Sequence, residues 1–437
     1  MSVLETARKI PAEGPICDHC MGRQFAKLST GLSNAERGRA VKLMLAMDAD
    51  RIFKEEGNSD VLKELAPSCS NARRTLSRDD RSEDAKCWVC GDIFKNLDFW
   101  ADMAVQKLEG LEYRTLLVGT KLSGLLAENE EILWEACGAA YAEQLKSELN
   151  REIGKIIAAK TGKEAALSNP DVMITFDIAE KTVDISVRSV YIYGRYNKNV
   201  RGIPQTHWPC RDCHGKGCEK CGNTGKQYPE SVEELMSIHL IPMADAEGAA
   251  FHGAGREDID ALMLGTGRPF VLEAKAPRIR SIDLASLRDA INTKSDGKIH
   301  VSDLQFCDKK VVERLKSEKA LKSYRMKIRF DEPVPEALLL EKLAFLKGKE
   351  INQDTPTRVM HRRADLCRNR TVHEAVLESV DGDVAYVRVL CDGGLYVKEL
   401  TSGDNGRTNP SISGLVGVHG FVEELDVINV DIDAGLS

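Results

Sequence analysis

The sequence lacks any long apolar run, any apolar leader segment and any internal repeat. A helix that spans a bilayer needs about 20 consecutive apolar residues, and no run in the 437-residue chain approaches that length. The first residues, MSVLETARKIPAEGP, lack the apolar segment of a secretory signal. No fixed repeat period and no low-complexity tract is present. We therefore expect a cytoplasmic protein without a membrane anchor.

The composition is that of an ordinary globular protein with a mild acidic excess. Hydrophobic residues make up 42% of the chain and charged residues 30%, as in average soluble domains. Because domains usually contain about 100 to 200 residues, we expect roughly two to four of them. The net charge of −7 argues against a nucleic-acid partner when taken as an average, so any such surface must be a local basic patch.

Basic residues concentrate in two stretches. From Arg188 to Lys226 many cations are interleaved with tyrosine, histidine and tryptophan, and from Arg358 to Arg370 the sequence reads RVMHRRADLCRNR. Cations neutralise phosphates and aromatic faces stack on bases, so both stretches predict an RNA-binding footprint. A solvated charged face is the alternative interpretation. The candidate RNA-contacting residues are Arg195, Lys198, Arg201, Arg358, His361, Arg362 and Arg363.

Cysteines occur in CxxC pairs, which in a reducing compartment favour metal ligation over disulfides. In WPCRDCHGKGCEKCGNTGK two pairs are joined by a short linker, which leaves room for a closed, structural zinc site. The pairs in ICDHC and KCWVC are distant in sequence but can form a second site; two unrelated buried pairs, or Cys69 as a substitute ligand, are the alternatives. The predicted ligands are Cys17, Cys20, Cys87 and Cys90 in one site and Cys210, Cys213, Cys218 and Cys221 in the other.

Hydrophobic periodicity predicts an α+β protein of several domains. A helix is expected from Asn34 to about Glu56, capped by Ser33, and a single long helix from about Ala127 to Lys160. Alternating segments after Lys160 predict a hairpin, and the C-terminal half is predicted to have an antiparallel core. The expected regions are 1–109, with the first cysteine pairs and helices; 110–200, a small α+β module; and 201–437, a larger α+β domain with the cysteine knuckle inserted at 208–226.

The stretch from Gly253 to Lys275 carries the most chemistry. It reads GAGREDIDALMLGTGRPFVLEAK, with Asp258 and Asp260 before a predicted glycine turn and Glu273 after it. A hairpin at that turn would bring the carboxylates and Lys275 together. Such a cluster fits either a poised carboxylate beside a cation or the D…ExK pattern of metal-dependent nucleases. A structural salt bridge is the third interpretation.

The motifs together resemble one enzyme family. GRED at Gly255–Asp258 resembles the GRxD motif of pseudouridine synthases, and four further stretches follow in the expected order: RYNKNVRGIPQTHW, PTRVMHRR, GGLYVKEL and GDNGRTNPSISGL. Over nearly its whole length the chain resembles the archaeal-type tRNA pseudouridine synthases of the Pus-ten family. This family isomerises uridines 54 and 55 in the TΨC arm of tRNA.

The resemblance implies a fold, a reaction and a set of site residues. The fold is a zinc-containing, RNA-binding module of THUMP type followed by an antiparallel-sheet pseudouridine synthase domain. The reaction needs a flipped-out uridine and no organic cofactor, with zinc in a structural role and tRNA as partner. Apart from the resemblance, the set of domains could act as a monomer. The implied residues are Asp258 as the catalytic carboxylate, Tyr324 stacking on the uracil, Tyr396 and Val397 lining the pocket, Lys398 pairing with Asp258, and Arg256 ordering the aspartate or gripping a phosphate.

Three alternatives remain open at this point. Asp260 competes with Asp258, because residues two apart share one face of a strand. A metal-dependent nuclease would use the same carboxylates with Glu273 and Lys275. An RNA-binding zinc protein without catalysis would explain the cysteines and the basic patches but would leave the GRED stretch without a role.

Overall fold

The computed structural model describes residues 2–318, 320–362 and 364–432. The chain divides between Arg188 and Ser189 into two compact units, each with its own hydrophobic core. Among the described residues, no helix is both long and apolar enough to pass through a membrane.

The first unit, which ends at Arg188, combines helices with a small sheet. Its helices are α1 (Val3–Lys9), α2 (Asp18–Arg23), α3 (Asn34–Glu56), α4 (Asp60–Leu65), α5 (Ser70–Leu76), α6 (Leu97–Leu108), α7 (Gly124–Cys137) and α8 (Leu145–Thr161). Its strands are β1 (Thr115–Lys121), β2 (Glu164–Ala165), β3 (Val172–Asp177) and β4 (Thr182–Val187). They form one sheet in the order β2-β1-β3-β4, in which β3 and β4 make the predicted hairpin.

Local sequence signals set several helix ends in this unit. Helix α3 begins where predicted, because Ser33 and Glu36 form a reciprocal capping box, and it ends at Gly57 with a φ of 73°. The prediction of one long helix after Ala127 is wrong, because α7 ends at Gly138, whose φ of 82° cannot continue a helix. The polar stretch at residues 67–86 includes α5.

The second unit contains the larger sheet. Its helices are α9 (Val232–Ala244), α10 (Leu284–Lys294), α11 (Lys309–Ser317), α12 (Glu336–Leu346), α13 (Val397–Ser402) and α14 (Ile412–Val416). Its strands are β5 (Val190–Lys198), β6 (Gly248–Gly253), β7 (Leu262–Lys275), β8 (Ile299–Cys307), β9 (Leu321–Phe330), β10 (Lys349–Gln353), β11 (Arg368–Asp381), β12 (Val384–Asp392), β13 (Thr408–Asn409) and β14 (Gly420–Asp431).

The strands of the second unit form one ten-stranded sheet. Its order is β13-β10-β11-β12-β9-β14-β7-β5-β8, and β6 pairs with β7 outside this path. Among the described strands of this sheet, only the short contact of β14 with β7 is parallel, so the predicted α+β fold with an antiparallel core is confirmed. The interior side chains alternate along the strands: Met326, Ile328 and Phe330 of β9 are buried in one core, which also contains Leu339 and Leu343 of α12.

Strand β5 lies in a different unit from the one we predicted. Residues 110–200 were expected to form one module, but Val190–Lys198 pairs with β7 and β8 in the large sheet. The boundary therefore falls at Arg188 rather than at residue 200. Alternation of apolar residues identified the strand, but it carries no information about which sheet a strand joins.

Candidate active site

The GRED tetrapeptide lies in the loop that joins β6 to β7. Gly255 has a φ of +79°, which L side chains rarely adopt, and a Cβ at this position would lie 2.7 Å from Nζ of Lys322. The loop begins against β7, since the Ala254 N–H donates to the Pro269 carbonyl at 2.9 Å and Arg268 Nη1 donates to the Ala254 carbonyl at 2.8 Å. Glycine at position 255 therefore allows the loop to turn so that it packs against β7.

A buried ion pair between the loop and β7 holds the loop in place. Glu257 and Arg268 lie 2.9 Å apart, and their side chains are 0% and 1% exposed. The Tyr196 hydroxyl donates to the Glu257 carboxylate at 2.8 Å, and Gln205 Nε2 donates to the Gly255 carbonyl at 3.0 Å. Burial, together with the negative charge of Glu257, raises the pKa of Tyr196 well above its usual range. The phenol therefore remains protonated and can donate to the carboxylate.

Lys198, which we predicted to contact RNA, instead supports the loop from inside. Its side chain is fully buried, and Nζ donates to the carbonyls of Ile203, Asp258 and Ile259 at 3.0, 3.3 and 3.1 Å. Burial lowers the pKa of this lysine. A buried ammonium with three backbone acceptors cannot grip a phosphate, so the prediction for Lys198 is corrected to a structural role.

Arg195 and Arg201 are also held by protein acceptors. Arg201 donates to the Asp260 carbonyl at 2.7 Å and pairs with Asp426 at 2.6 Å. Arg195 donates to the Thr266 carbonyl at 2.6 Å, beside the bulge of β7. The RNA contacts proposed for Arg195 and Arg201 stay predictions. Their contacts with acceptors in the protein were not predicted from the sequence.

The two aspartates of the loop share one lysine. Lys398 Nζ lies 2.8 Å from Asp260 and 3.4 Å from Asp258, so the expected pairing with Asp258 is the longer of the two. A second cation, Arg358, approaches Asp258 at 3.5 Å and is held by Glu399 at 2.7 Å. Burial alone would raise the pKa of Asp260, but the contact with Lys398 holds it below its usual value.

Both aspartates line a cavity of about 620 Å³, a volume within the roughly 300–1,000 Å³ typical of ligand sites. Tyr324, Tyr396, Val397, Lys398 and Arg256 all line it together with Asp258. The structure thus brings together every residue that we predicted for the catalytic and substrate-binding set. Burial is the main cause of a raised pKa of Tyr324, so its phenol is neutral near pH 7.

The LYVKEL segment begins a helix, although its apolar residues are equally compatible with a strand. Tyr396 is the N-cap residue of α13, and Val397 and Lys398 are its first two helical residues. On a strand, alternation would have placed Val397 opposite the other two side chains. The first turn of a helix, entered from an extended N-cap, lets all three line the same cavity.

The predicted hairpin at Gly265–Pro269 is wrong. Residues Leu262–Lys275 form one strand, and the glycines lie in an irregularity of its pairing with β5. Glu273 lies five residues beyond Arg268, or about 16 Å along the strand, and contacts His252 at 2.9 Å. Neither Glu273 nor Lys275 lines the cavity in the described part of the chain, so the D…ExK nuclease cluster is not assembled.

Comparison with known proteins agrees with this site. The family model described as "Pus10, C-terminal" matches residues 191–431, and "Pus10 THUMP domain, archaeal" matches residues 100–177. The tRNA pseudouridine synthase Pus10 of Methanothrix thermoacetophila is 51% identical over 430 residues, which cover 98% of this chain and 94% of that protein. The chain belongs to the Pus10 family.

Two more distant relatives lead to the same family. The tRNA pseudouridine synthase Pus10 of Halorubrum lacusprofundi is 42% identical, with 99% of this chain and 97% of the relative covered. That of Pyrococcus furiosus is 35% identical, with 98% of each covered. The resemblance drawn from the sequence motifs is confirmed, including the THUMP domain and the assignment to a family of isomerases.

Both predicted cysteine clusters of this Pus10 family member have the geometry of a metal site. In each, the four sulfurs lie within 4.8 Å of one another. A tetrahedral zinc with Zn–S bonds of about 2.3 Å requires sulfurs about 3.8 Å apart. The Cys17–Cys90 distance is 3.6 Å, and the Cys210–Cys218 and Cys213–Cys221 distances are both 3.9 Å. The residues therefore fit zinc.

Groups around the sulfurs add to this fit. Backbone N–H groups of Gly217, Cys218 and Gly225 donate to sulfurs of the second cluster at 3.2 Å, which favours thiolates. In the first cluster the buried Arg23 donates to Cys20 Sγ at 3.4 Å. Cys69, the alternative ligand, is buried but belongs to neither group.

The second basic patch is only partly described. Arg358 lines the cavity and His361 is exposed at the end of a short 3-10 turn. The side chain of Arg362 and the whole of Arg363 lie outside the described residues. The proposed RNA contacts of this patch remain predictions.

Sequence reasoning missed three features of the Pus10 site. Trp208, the tryptophan of the first basic stretch, lines the cavity, and its ring is 4.6 Å from the Arg256 guanidinium. The ion pair of Glu257 and Arg268 was not expected, because all three charged residues of GRED are equally polar and the sequence does not show which of them is buried. Lys322 lies two residues before Tyr324 on β9, and alternation could have placed it on the same face.

Proposed function

We propose that this protein isomerises uridines 54 and 55 in the TΨC arm of tRNA, with Asp258 as the essential carboxylate. Membership of the Pus10 family identifies it as a tRNA pseudouridine synthase; the positions and the role of the aspartate are the proposal. The observation that carries it is the placement of Asp258 in one cavity with two tyrosines, Val397 and two neighbouring cations.

The cavity offers what a flipped-out uridine needs. Extruding a base costs a few kcal/mol, which stacking on aromatic or apolar side chains offsets. Tyr324 supplies a ring from β9, while Tyr396 and Val397 come from the start of α13. In this proposal Tyr324 stacks on the uracil, and Val397 packs against its edge.

In this proposal Asp258 acts on the sugar or on the base. The reaction breaks the N1–C1′ bond, rotates the detached uracil and joins C5 to C1′; a proton leaves C5 and one is gained at N1. Lys398 and Arg358 lie within 3.5 Å of the carboxylate and compensate its charge. Asp260 lies 2.8 Å from Lys398, and in this proposal it positions the lysine.

The surface around the cavity suits a polyanionic substrate. Its lining includes Arg256, Arg358, Arg368 and Arg370, whose charge favours contact with phosphates. The knuckle that contains the second cysteine cluster adjoins this rim through Trp208. Zinc bound by the two clusters would fold the chain around them, and the chemistry of the cavity does not need it.

The direct test uses an unmodified tRNA transcript and the zinc-loaded protein in EDTA. Mass spectrometry of nuclease fragments should locate pseudouridine at positions 54 and 55, and transcripts with cytidine at either position should show product only at the other. Product elsewhere, or at one position only, contradicts the proposed specificity. In a parallel reaction with magnesium in place of EDTA, strand scission would support the nuclease alternative, and binding without product in either reaction would support the non-catalytic one.

A further inference from the structure

The cavity has one cation whose role the proposed function does not assign. Among the basic residues that line it, Arg358 pairs with Glu399, Lys398 with Asp260 and Arg268 with Glu257. Arg368 donates to Thr355 and Arg370 to the Gly393 carbonyl, and Arg256 stacks on Trp208. Among the described residues, the Lys322 ammonium has no hydrogen-bond or ion-pair partner, although the backbone of Lys322 pairs with both neighbouring strands.

Lys322 occupies a central place in the cavity wall. It lies on β9 two residues before Tyr324, hence on the same face of the strand and about 7 Å along it. Its ammonium lies against the catalytic loop, 2.7 Å from the position that a Cβ on Gly255 would take. Gly255 is three residues before Asp258, so the ammonium and the carboxylate belong to one site.

The surroundings of Lys322 disfavour its charge. Burial and the Arg268 cation lower the pKa of Lys322, Cys391 on β12 and Glu257 in the loop partly oppose them, and the net pKa is about 8. The residue opposite on β14 is the apolar Val430. The side chain is half-buried, where an ammonium without an acceptor is unfavourable, and such a group facing a cavity is typical of a site in which the ligand supplies the acceptor.

The reaction supplies such an acceptor. Heterolysis of the N1–C1′ bond leaves its electron pair on the uracil, so the detached ring carries negative charge on its carbonyl oxygens until C5 bonds to C1′. Deprotonation at C5 and protonation at N1 then complete the isomerisation. We propose that the Lys322 ammonium contacts the flipped base and donates a hydrogen bond to this anionic uracil. The inference rests on the proposed function, because it concerns the same cavity.

The test compares Lys322→Met with wild type in single-turnover pseudouridine formation. Removal of one donor to a developing anion typically costs 10²–10³-fold in rate, so we expect a loss of about that size with tRNA affinity changed less than about threefold. Methionine keeps the length of the side chain and removes the unpaired charge, so the melting temperature should not fall. Lys316→Met on the exposed face of α11 is the matched control and should behave as wild type.

The pH profile separates a chemical role from a structural one. The ammonium is present below about pH 8 and lost above it, so wild-type kcat/KM should decline as pH rises through about 8. Lys322→Met should lack this decline, and Lys322→Arg should regain part of the rate while staying charged. Any of three results for Lys322→Met would overturn the proposal. These are a decline of kcat/KM above about pH 8 like that of wild type, a rate within threefold of wild type, and a loss that lies wholly in tRNA affinity. Wild-type protein without product would overturn the proposed function as well.

Discussion

The buried pair of Glu257 and Arg268 should be the most sensitive point of the second unit. In Arg268→Met the Glu257 carboxylate, whose side chain is 0% exposed, loses its countercharge. Removing one partner of a buried pair costs about 3–5 kcal/mol. Because the Tyr196 hydroxyl still donates to the carboxylate at 2.8 Å, we expect a loss near 3 kcal/mol.

This loss should be visible by calorimetry. A unit of roughly 250 residues loses about 2–4 °C of melting temperature per kcal/mol, so its transition should fall by about 6–12 °C. Turnover should fall as well, because Arg268 also donates to the Ala254 carbonyl at the start of the catalytic loop. Hydrogen exchange at β7 identifies which transition belongs to this unit.

Two variants sharpen the test. Replacing both partners, as Arg268→Met with Glu257→Leu, should restore at least half of the loss, since an apolar pair avoids the uncompensated charge. Arg278→Met removes one member of an exposed pair with Asp245, whose side chains are 47% and 63% exposed, and should cost less than about 1 kcal/mol. If Arg268→Met were no more costly than Arg278→Met, the anchoring role of the pair would be refuted.

Three further changes should have distinct signatures. Gly255→Ala should nearly abolish turnover, because a φ of +79° is strained for alanine and its Cβ would displace the Lys322 ammonium, 2.7 Å away; the control measurement is tRNA affinity, which should stay normal. Cys213→Ser should halve the zinc content measured by mass spectrometry and slow turnover by releasing Trp208 from Arg256, and unchanged turnover would exclude that link. Lys198→Met should lower the melting temperature without altering the salt dependence of tRNA binding, since its ammonium is bound only to carbonyls.

Local signals in the sequence were sufficient for many elements. The capping box at Ser33 and Glu36 fixed the start of α3, and the CxxC spacing identified both cysteine clusters. The motif resemblance gathered residues from three separated segments, Asp258, Tyr324 and Tyr396, that line one cavity. Such features depend on nearby residues or on a family pattern, and both can be recognised in a single sequence.

Features that depend on distant pairing were not predictable in this way. The glycines at 265 and 267 have positive φ, which suits a tight turn as well as an irregular strand, and only pairing with β5 decides between them. The burial of Lys198 follows from three carbonyls that the tertiary fold brings together. In sequence a buried lysine and a phosphate-binding lysine look alike.

The measurement that tests the account most directly compares Asp258→Asn with Asp260→Asn in pseudouridine formation at positions 54 and 55. The two aspartates share Lys398 and differ in their distance from it, 3.4 and 2.8 Å, so each variant is the control for the other. We expect Asp258→Asn to lose about 10²–10⁴-fold in rate with tRNA binding intact, and Asp260→Asn to retain most activity. Full activity of Asp258→Asn with loss in Asp260→Asn would contradict the account.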